Sequence, residues 1–422
     1  MSRPLRFVML TTFYPPYSFG GDAIYVERLA SALGSAGHTV DIIHCIDSYH
    51  LLHPGSPEGV AVENPNVTVH GLRSRAGRLS PLLTQQTGWP FLKQAQIRQI
   101  LNRSRPDVIH YHNTSLFGPG VLALNPDTGS PLKVYTTHEY WLVCPTHILW
   151  KFNSRACEKP ECLRCVAIAK RPPQIWRYTG MIDRYAKQVD LFLAPSRFAA
   201  EMHSQRGFKM PMTYLPLFVE TKSAPDEDNS PSPHPRPYFL FVGRLEAIKD
   251  PASLIAAWHK VPEADLLIAG AGSDMQMLIA LTSGNDRIRF LGYVAQSELE
   301  HLYRHCLACI VPSQMLEVFP LVVLEAFAHK APVVARDRGP LAEMIADSGG
   351  GLLYHTEGQL IEDLSRLVYE PKLRKELGEN GYRIASTRWT REAHLDRYFA
   401  LLRDASVRRF GRVSWDNDGC AL

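Results

Sequence analysis

Residues 238–250 read Tyr238-Phe239-Leu240-Phe241-Val242-Gly243-Arg244-Leu245-Glu246-Ala247-Ile248-Lys249-Asp250. Five consecutive apolar residues predict a strand covered on both faces, the condition of a parallel sheet. The strand ends in a glycine, and two cations five residues apart follow on the next loop and helix. The same unit recurs on either side. Short apolar runs predict strands at 6–10, 39–45, 67–70, 107–111, 133–136 and 191–194, and after Glu220 at 238–242, 266–269, 288–291, 308–311, 332–335 and 351–353. Amphipathic stretches such as Tyr25-Val26-Leu29-Ala30-Leu33 separate them, with the spacing of one apolar helical stripe. Alternating strands and helices require crossovers, so the fold class is α/β, doubly wound, twice over.

The chain has 422 residues, more than the ~250–300 at which a single core stops growing. Two domains follow, 1–219 and 238–388. A Pro-, Ser- and charge-rich linker at 220–237 joins them, and its Asp226-Glu227-Asp228 is read as solubilising rather than metal-binding. A last helix at 389–406 is expected to pack back on the first domain, ahead of a polar tail at 407–422. With 45% hydrophobic and 21% charged residues the composition is ordinary globular usage, which excludes wholesale disorder. No run approaches the ~18 apolar residues of a membrane span, and Met1–Leu10 lacks a signal-peptide shape. The expected location is therefore cytoplasmic.

Charge is unevenly spread. Through Pro216 there are 23 Lys+Arg against 14 Asp+Glu, or +9, which leaves −5 for the remainder. Between Glu63 and Asp107 there is no acid, only Arg73, Arg75, Arg78, Lys93, Arg98, Arg103 and Arg105. A solvated basic face accounts for this. So does an anionic partner, either a phosphate-bearing acceptor or a membrane surface at which the protein would be peripheral. Nucleic acid is not indicated, since no stacking or DNA-reading motif accompanies the charge.

The candidate chemistry lies where strands end. Gly20 and Gly21 precede a helix, where backbone can approach an anion closely. The Gly-x-Gly-x-x-Gly dinucleotide fingerprint is absent, so no redox cofactor is expected. Arg244 and Lys249 can hold a diphosphate, one as a planar fork and one as a point charge. Gly270-Ala271-Gly272 forms a small-residue loop after a buried strand. Glu317 precedes a helix that Pro320 is expected to start, and Glu325 lies two turns inside it. Each has a plainer reading: a surface charge for Arg244, a capping acid for Glu317, a satisfied buried carboxylate for Glu325.

Taken in order, these residues resemble the retaining glycosyltransferases of family 4, which have the GT-B fold of two Rossmann-like domains facing a central cleft. The likeness runs from Tyr14-Pro15-Pro16 and Gly20-Gly21 through Pro106-Asp107-Val108-Ile109-His110, Thr137-His138-Glu139 and Ala194-Pro195-Ser196. It continues through Val242-Gly243-Arg244 and Lys249-Asp250 to Glu317, Glu325 and Pro332-Val333-Val334. It implies a nucleotide diphosphate sugar as donor and a glycan or lipid-linked acceptor. Arg244 and Lys249 would neutralise the diphosphate, with no divalent metal needed for that role. Glu317 would hold the donor sugar, Glu325 the ribose, and His138 would stand beside the sugar. Gly20 and Gly21 would close on the phosphates, while Gly243, Gly270, Gly272 and the amides of Leu321 and Val322 would line the nucleotide. The chain departs from the family at Pro320, at Lys330-Ala331 and at Gly339-Pro340, where the family usually has glycine after an aromatic, before Pro-Val, and as Gly-Gly.

Four of the eight cysteines crowd into an insertion at about 141–170: Cys144, Cys157, Cys162 and Cys165, spaced C-x12-C-x4-C-x2-C. That spacing suits a structural zinc, and equally an iron–sulfur cluster; four free buried thiols are the plain alternative. Cys306 and Cys309 are read as core, and Cys45 and Cys420 carry no signal. Two rival functions share the architecture: a non-catalytic partner that keeps the fold for binding, and a GT-B epimerase or phosphorylase.

Overall fold

The computed structural model describes residues 3–53, 55–57, 63–220 and 230–416. The expected acidic triplet Asp226-Glu227-Asp228 and Cys420 lie outside them. The first sheet contains β1 (Arg6–Leu10), β2 (Thr39–Cys45), β3 (Val67–Leu72), β4 (Val108–Tyr111) and β5 (Leu132–Thr136). A small antiparallel hairpin, β6 (Trp150–Lys151) and β7 (Arg155–Ala156), interrupts the series before β8 (Leu191–Ala194) and β9 (Met212–Tyr214). The second sheet contains β10 (Tyr238–Val242), β11 (Asp265–Ala269), β12 (Ile288–Gly292), β13 (Cys309–Val311), β14 (Val333–Arg336) and β15 (Gly351–Tyr354).

Strand order is β3-β2-β1-β4-β5-β8-β9 in one sheet and β12-β11-β10-β13-β14-β15 in the other, with neighbours parallel throughout. In each sheet the order reverses beside the first strand, between β1 and β4 and between β10 and β13. Such switch points open a crevice at the carboxyl ends of the strands, where doubly wound folds bind ligands. Three elements were not expected. β9 is only three residues long, and β6 and β7 two each, too short for any periodicity to register.

The helix Arg391–Phe410 returns to the first sheet. Thr390 caps it by accepting the Ala393 N–H at 3.1 Å, and Gly411 ends it at φ +72°. The Tyr398 hydroxyl lies 2.8 Å from His110 Nδ1 on β4. Arg409 reaches Asp190 at 2.6 Å. The His394 Nδ1–H donates to the Pro216 carbonyl at 2.7 Å, so Nε2 is free to accept the Tyr25 hydroxyl at 2.9 Å.

The tail and the linker are each anchored at one buried side chain. Residues 407–410 are helical and mostly exposed, and beyond them Trp415 is buried in the core shared by both domains. Within the expected linker, residues 231–233 and 235–237 are exposed, and the segment is anchored at one point, where His234 is buried against Asp265 at 2.6 Å with Arg236 on the same carboxylate at 3.0 Å.

Replacing Tyr398 by Phe removes one buried hydrogen bond and leaves His110 Nδ1 unsatisfied. The expected cost is about 1–2 kcal/mol, read as a lower urea midpoint. An unchanged midpoint would mean that the returning helix is held by packing alone.

Candidate functional site

The site assembles from loops at the carboxyl ends of β1, β5, β10, β11 and β13. After β1, the chain reaches Gly20 at φ +102°, which caps the helix Gly21–Ser35 without a side-chain hydrogen bond. A Cβ on Gly21 would lie 3.3 Å from Leu321, so the first domain's glycine loop abuts the first turn of the helix Leu321–Ala328 across the cleft. Pro320 is the N-cap of that helix rather than its first residue, and Leu321 and Val322 form its opening turn.

In the second domain, glycine is required sterically. A Cβ on Gly270 would stand 1.9 Å from the Gly243 carbonyl oxygen, and one on Gly272 would stand 2.3 Å from that of Leu245. The loops after β10 and β11 thus lie backbone on backbone, closer than any side chain permits.

Lys249 and Glu317 meet. The ammonium lies 2.5 Å from Glu317 Oε1, and the Ser313 hydroxyl donates to the same oxygen at 2.8 Å. Glu317 is buried, and its carbonyl accepts the Tyr140 hydroxyl of the first domain at 3.0 Å. Next to it, the Val318 carbonyl accepts the Ser196 hydroxyl at 2.8 Å. A buried carboxylate is tolerated when it is paired and hydrogen-bonded, as here. Glu325 sits on the buried face of its helix, with Arg28 of the first domain on Oε1 at 2.8 Å and the Tyr303 hydroxyl on Oε2 at 3.3 Å. Arg244 lies apart from this group; it reaches Glu246 at 2.7 Å and remains half exposed.

His138 follows β5 and stacks on His112, the residue after β4, with Nε2 3.0 Å from His112 Nδ1. Burial pushes its pKa down to about 3, and His112 is also lowered well below its ordinary value, chiefly by burial. Both rings are neutral, so one nitrogen of the pair donates and the other accepts. Nearby, Asp22 is raised by burial and by the charge of Glu139.

Sequence reasoning missed Arg28, His112 as a partner of His138, Tyr140, Ser313 and Tyr303. Arg28 and Tyr140 come from one domain and act on the other, so nothing local marks them. Ser313 stands four residues before Glu317, a spacing that offered a weak signal.

The departures from glycine are accommodated. Lys330 takes the left-handed φ of +58° itself, and Gly339 does so at +56° as the cap before Pro340.

The four cysteines gather in the lobe of the β6–β7 hairpin and the helix Cys162–Ile168. Burial raises the Cys157 and Cys162 thiols, and the neighbouring thiols add to both shifts. Cys144 lies 3.3 Å from the Thr146 hydroxyl, and Arg206 donates to the Cys157 carbonyl. Among the described residues no three His, Cys, Asp or Glu side chains converge on a point that could hold a metal. Cys306 and Cys309 are free thiols in the second domain's core, with burial raising both.

The sequence profile described as Glycosyltransferase Family 4 matches residues 19–223, and that of Glycosyl transferases group 1 matches residues 223–384. The chain is 28% identical over 402 residues to a D-inositol 3-phosphate glycosyltransferase of Pseudarthrobacter chlorophenolicus, covering 89% of this chain and 88% of that one. It is 27% identical to an alpha-maltose-1-phosphate synthase of Mycolicibacterium smegmatis, covering 89% and 93%. Among solved structures, sucrose-phosphate synthase from Thermosynechococcus elongatus superposes with a TM-score of 0.73 at 21% identity, over 96% of this chain and all of that one. HepE of Anabaena, in complex with UDP and glucose, gives 0.63 at 16% identity, over 95% of this chain and 100% of that one. At these identities the structures speak for the fold, which they share.

The neutral histidines set a pH dependence. His44, His203 and His394 are pushed down by burial to about 4, and His138 to about 3. In the unfolded chain these rings take a proton near ~6.5. The unfolded state therefore binds more protons below that value, and stability falls as pH drops from about 6.5 toward 4. Each such histidine contributes at most about 1.4 kcal/mol per pH unit. Urea midpoints across this range should fall steadily with acidification; a flat profile would contradict the burial of these rings.

Proposed function

As a GT-B glycosyltransferase of the group 1 and family 4 type, this chain, we propose, transfers a sugar with retention from a nucleotide diphosphate sugar to a glycan or lipid-linked acceptor. We propose further that it works as a peripheral protein at the inner face of a membrane. The observation that carries the donor assignment is the Lys249–Glu317–Ser313 group at the second sheet's switch point, opposite Gly20 and Gly21.

Each residue has a physical role in this reading. Lys249 and the half-exposed Arg244 meet the donor diphosphate, whose charge grows as the bond from the anomeric carbon to the phosphate oxygen breaks. Fixed cations aimed there stabilise the transition state without reorganising. The amides of Leu321 and Val322, at a helix start, add to the same field. Glu317 accepts from hydroxyls of the sugar and Glu325 from those of the ribose, while neutral His138 offers a hydrogen bond rather than a charge. Gly243, Gly270 and Gly272 leave the backbone open to the nucleotide.

Retention follows from same-face displacement. The acceptor oxygen bonds to the anomeric carbon on the side that the phosphate leaves, and the acceptor's proton passes to the departing phosphate oxygen. Double displacement through a carboxylate would instead leave a glycosyl-enzyme adduct visible by intact-protein mass spectrometry.

Incubation without acceptor with UDP-, GDP-, ADP- and dTDP-sugars tests the donor. Slow nucleotide release from one of them is expected, reduced about 100-fold or more by Glu317→Ala and by Lys249→Ala. Neither binding nor release across the panel would favour the non-catalytic partner.

A metal held by Cys144, Cys157, Cys162 and Cys165 would stiffen the lobe behind Tyr140, and only the spacing supports it. About one zinc per purified chain is the result that reading expects. The absence of both zinc and iron from the purified chain would leave four free thiols.

A further inference from the structure

We propose that one face of the first domain docks on an anionic lipid bilayer, and that it is built from two acid-free segments which the fold packs side by side. The first, between Glu63 and Asp107, was apparent from its arginines. The second lies between Glu161 and Asp183 and carries Arg164, Lys170, Arg171 and Arg177. This deepens the peripheral association proposed above and rests on it.

Two contacts join the segments, and a third lies two residues beyond the end of the second. The Trp176 indole N–H donates to the Gln85 carbonyl at 2.7 Å. A Cβ on Gly88 would collide with the Met181 sulfur and approach the Trp176 ring. Trp89 lies 5.6 Å from Tyr185, ring to ring.

The helix Leu79–Thr87 turns Ser80, Pro81 and Thr84 inward and leaves Leu79 and Leu83, one turn apart, in solvent. Leu79 is 67% exposed and Phe91 58%; on the second segment Ile175 is 59% exposed and Tyr178 61%. Arg73, Arg75, Arg78, Lys170 and Arg171 are exposed on the same two segments.

Four acids that touch or bound the segments are already engaged, among them Asp41 on His70 at 2.5 Å and Asp127 on Asn102 at 2.6 Å. Asp47 is buried and holds Lys93 at 2.8 Å and the Ser74 N–H at 2.8 Å. Lys93, one of the seven cations of the first segment, is therefore buried and not part of the face. Asp183, at the end of the second segment, pairs with Lys209 at 2.5 Å.

A soluble polyanion could satisfy the arginines but would leave Leu79, Leu83, Phe91 and Ile175 in water. Large apolar side chains among cations suit a surface with acyl chains beneath an anionic headgroup layer.

Flotation of the full chain with phosphatidylcholine vesicles, with and without about one third phosphatidylglycerol, tests this. Binding is expected to the anionic vesicles and not to the neutral ones. Each basic residue near such a surface strengthens partition about fivefold, so Arg75→Glu/Arg78→Glu should weaken it more than tenfold. Leu83→Ser/Phe91→Ser should weaken it about tenfold, with nucleotide release unchanged in both. If that apolar variant loses its melting transition, Ile175→Ser/Tyr178→Ser repeats the test on the second segment.

Binding that neither variant alters places the docking elsewhere; it overturns this face and leaves peripheral association standing. Loss in the arginine variant alone means that headgroup charge suffices and overturns the insertion of the apolar side chains. Equal binding to neutral vesicles overturns the role of charge. No flotation with either vesicle removes both this face and peripheral association, and the donor assignment, tested by nucleotide release, survives all of these.

Discussion

Two hydroxyls of the first domain hold the backbone on which the second domain's site depends. Tyr140 donates to the Glu317 carbonyl and Ser196 to that of Val318. Both acceptors are buried and would cost about 1–3 kcal/mol if left without a partner. With those carbonyls fixed, the Glu317 side chain is placed for Lys249 and Ser313. The segment then leads through Phe319 and Pro320 into the helix that carries Glu325. The same loop faces Gly21, so the cleft is closed around a seam that both domains build.

The seam is reinforced away from the cleft. Arg28 crosses to Glu325, and Arg197 and the Phe198 N–H meet Glu343 on the helix Pro340–Ser348. The returning helix Arg391–Phe410 ties the end of the second domain to β4 through Tyr398 and to the Pro216 carbonyl through His394. One apolar cluster, running from Phe7 and Tyr25 to Phe319, Trp389 and Trp415, continues across both sheets. Three sets of contacts thus join the two domains beside the cleft, of which Arg28 touches Glu325 directly.

The first domain carries three separate physical environments on one sheet. Its carboxyl edge is a nest of neutral, buried histidines around His138. The cysteine lobe beyond β5 supplies Tyr140 and packs on Ala199 of the helix Arg197–Gln205 and on Val318 of the second domain. The helix Leu79–Thr87 and the chain around Ile175 form a cationic, apolar exterior. The division follows from the doubly wound plan, in which loops after the strands serve the cleft and helices between them serve solvent.

Strand positions were legible to within a residue or two because a strand buried on both faces must be apolar along its length, whatever its neighbours. Of the candidate residues, Lys249 and Glu317 meet, Glu325 lies inside the following helix, and Arg244 stands half exposed beside Glu246. The hairpin β6–β7, β9 and the last turn of the final helix were not legible: each is too short or too polar to carry a periodic signal. The order of apolar runs and helical stretches alone therefore determined two parallel sheets, one in each half of the chain. Only the tertiary structure decided that Lys249 pairs with Glu317 while Arg244 stands apart, that Lys93 is buried, and that Trp415 belongs to the core. It also brought four closely spaced cysteines into one lobe, where their thiols raise one another. These are distances between side chains far apart in the chain or turned by a single backbone angle, and spacing along a sequence does not specify them.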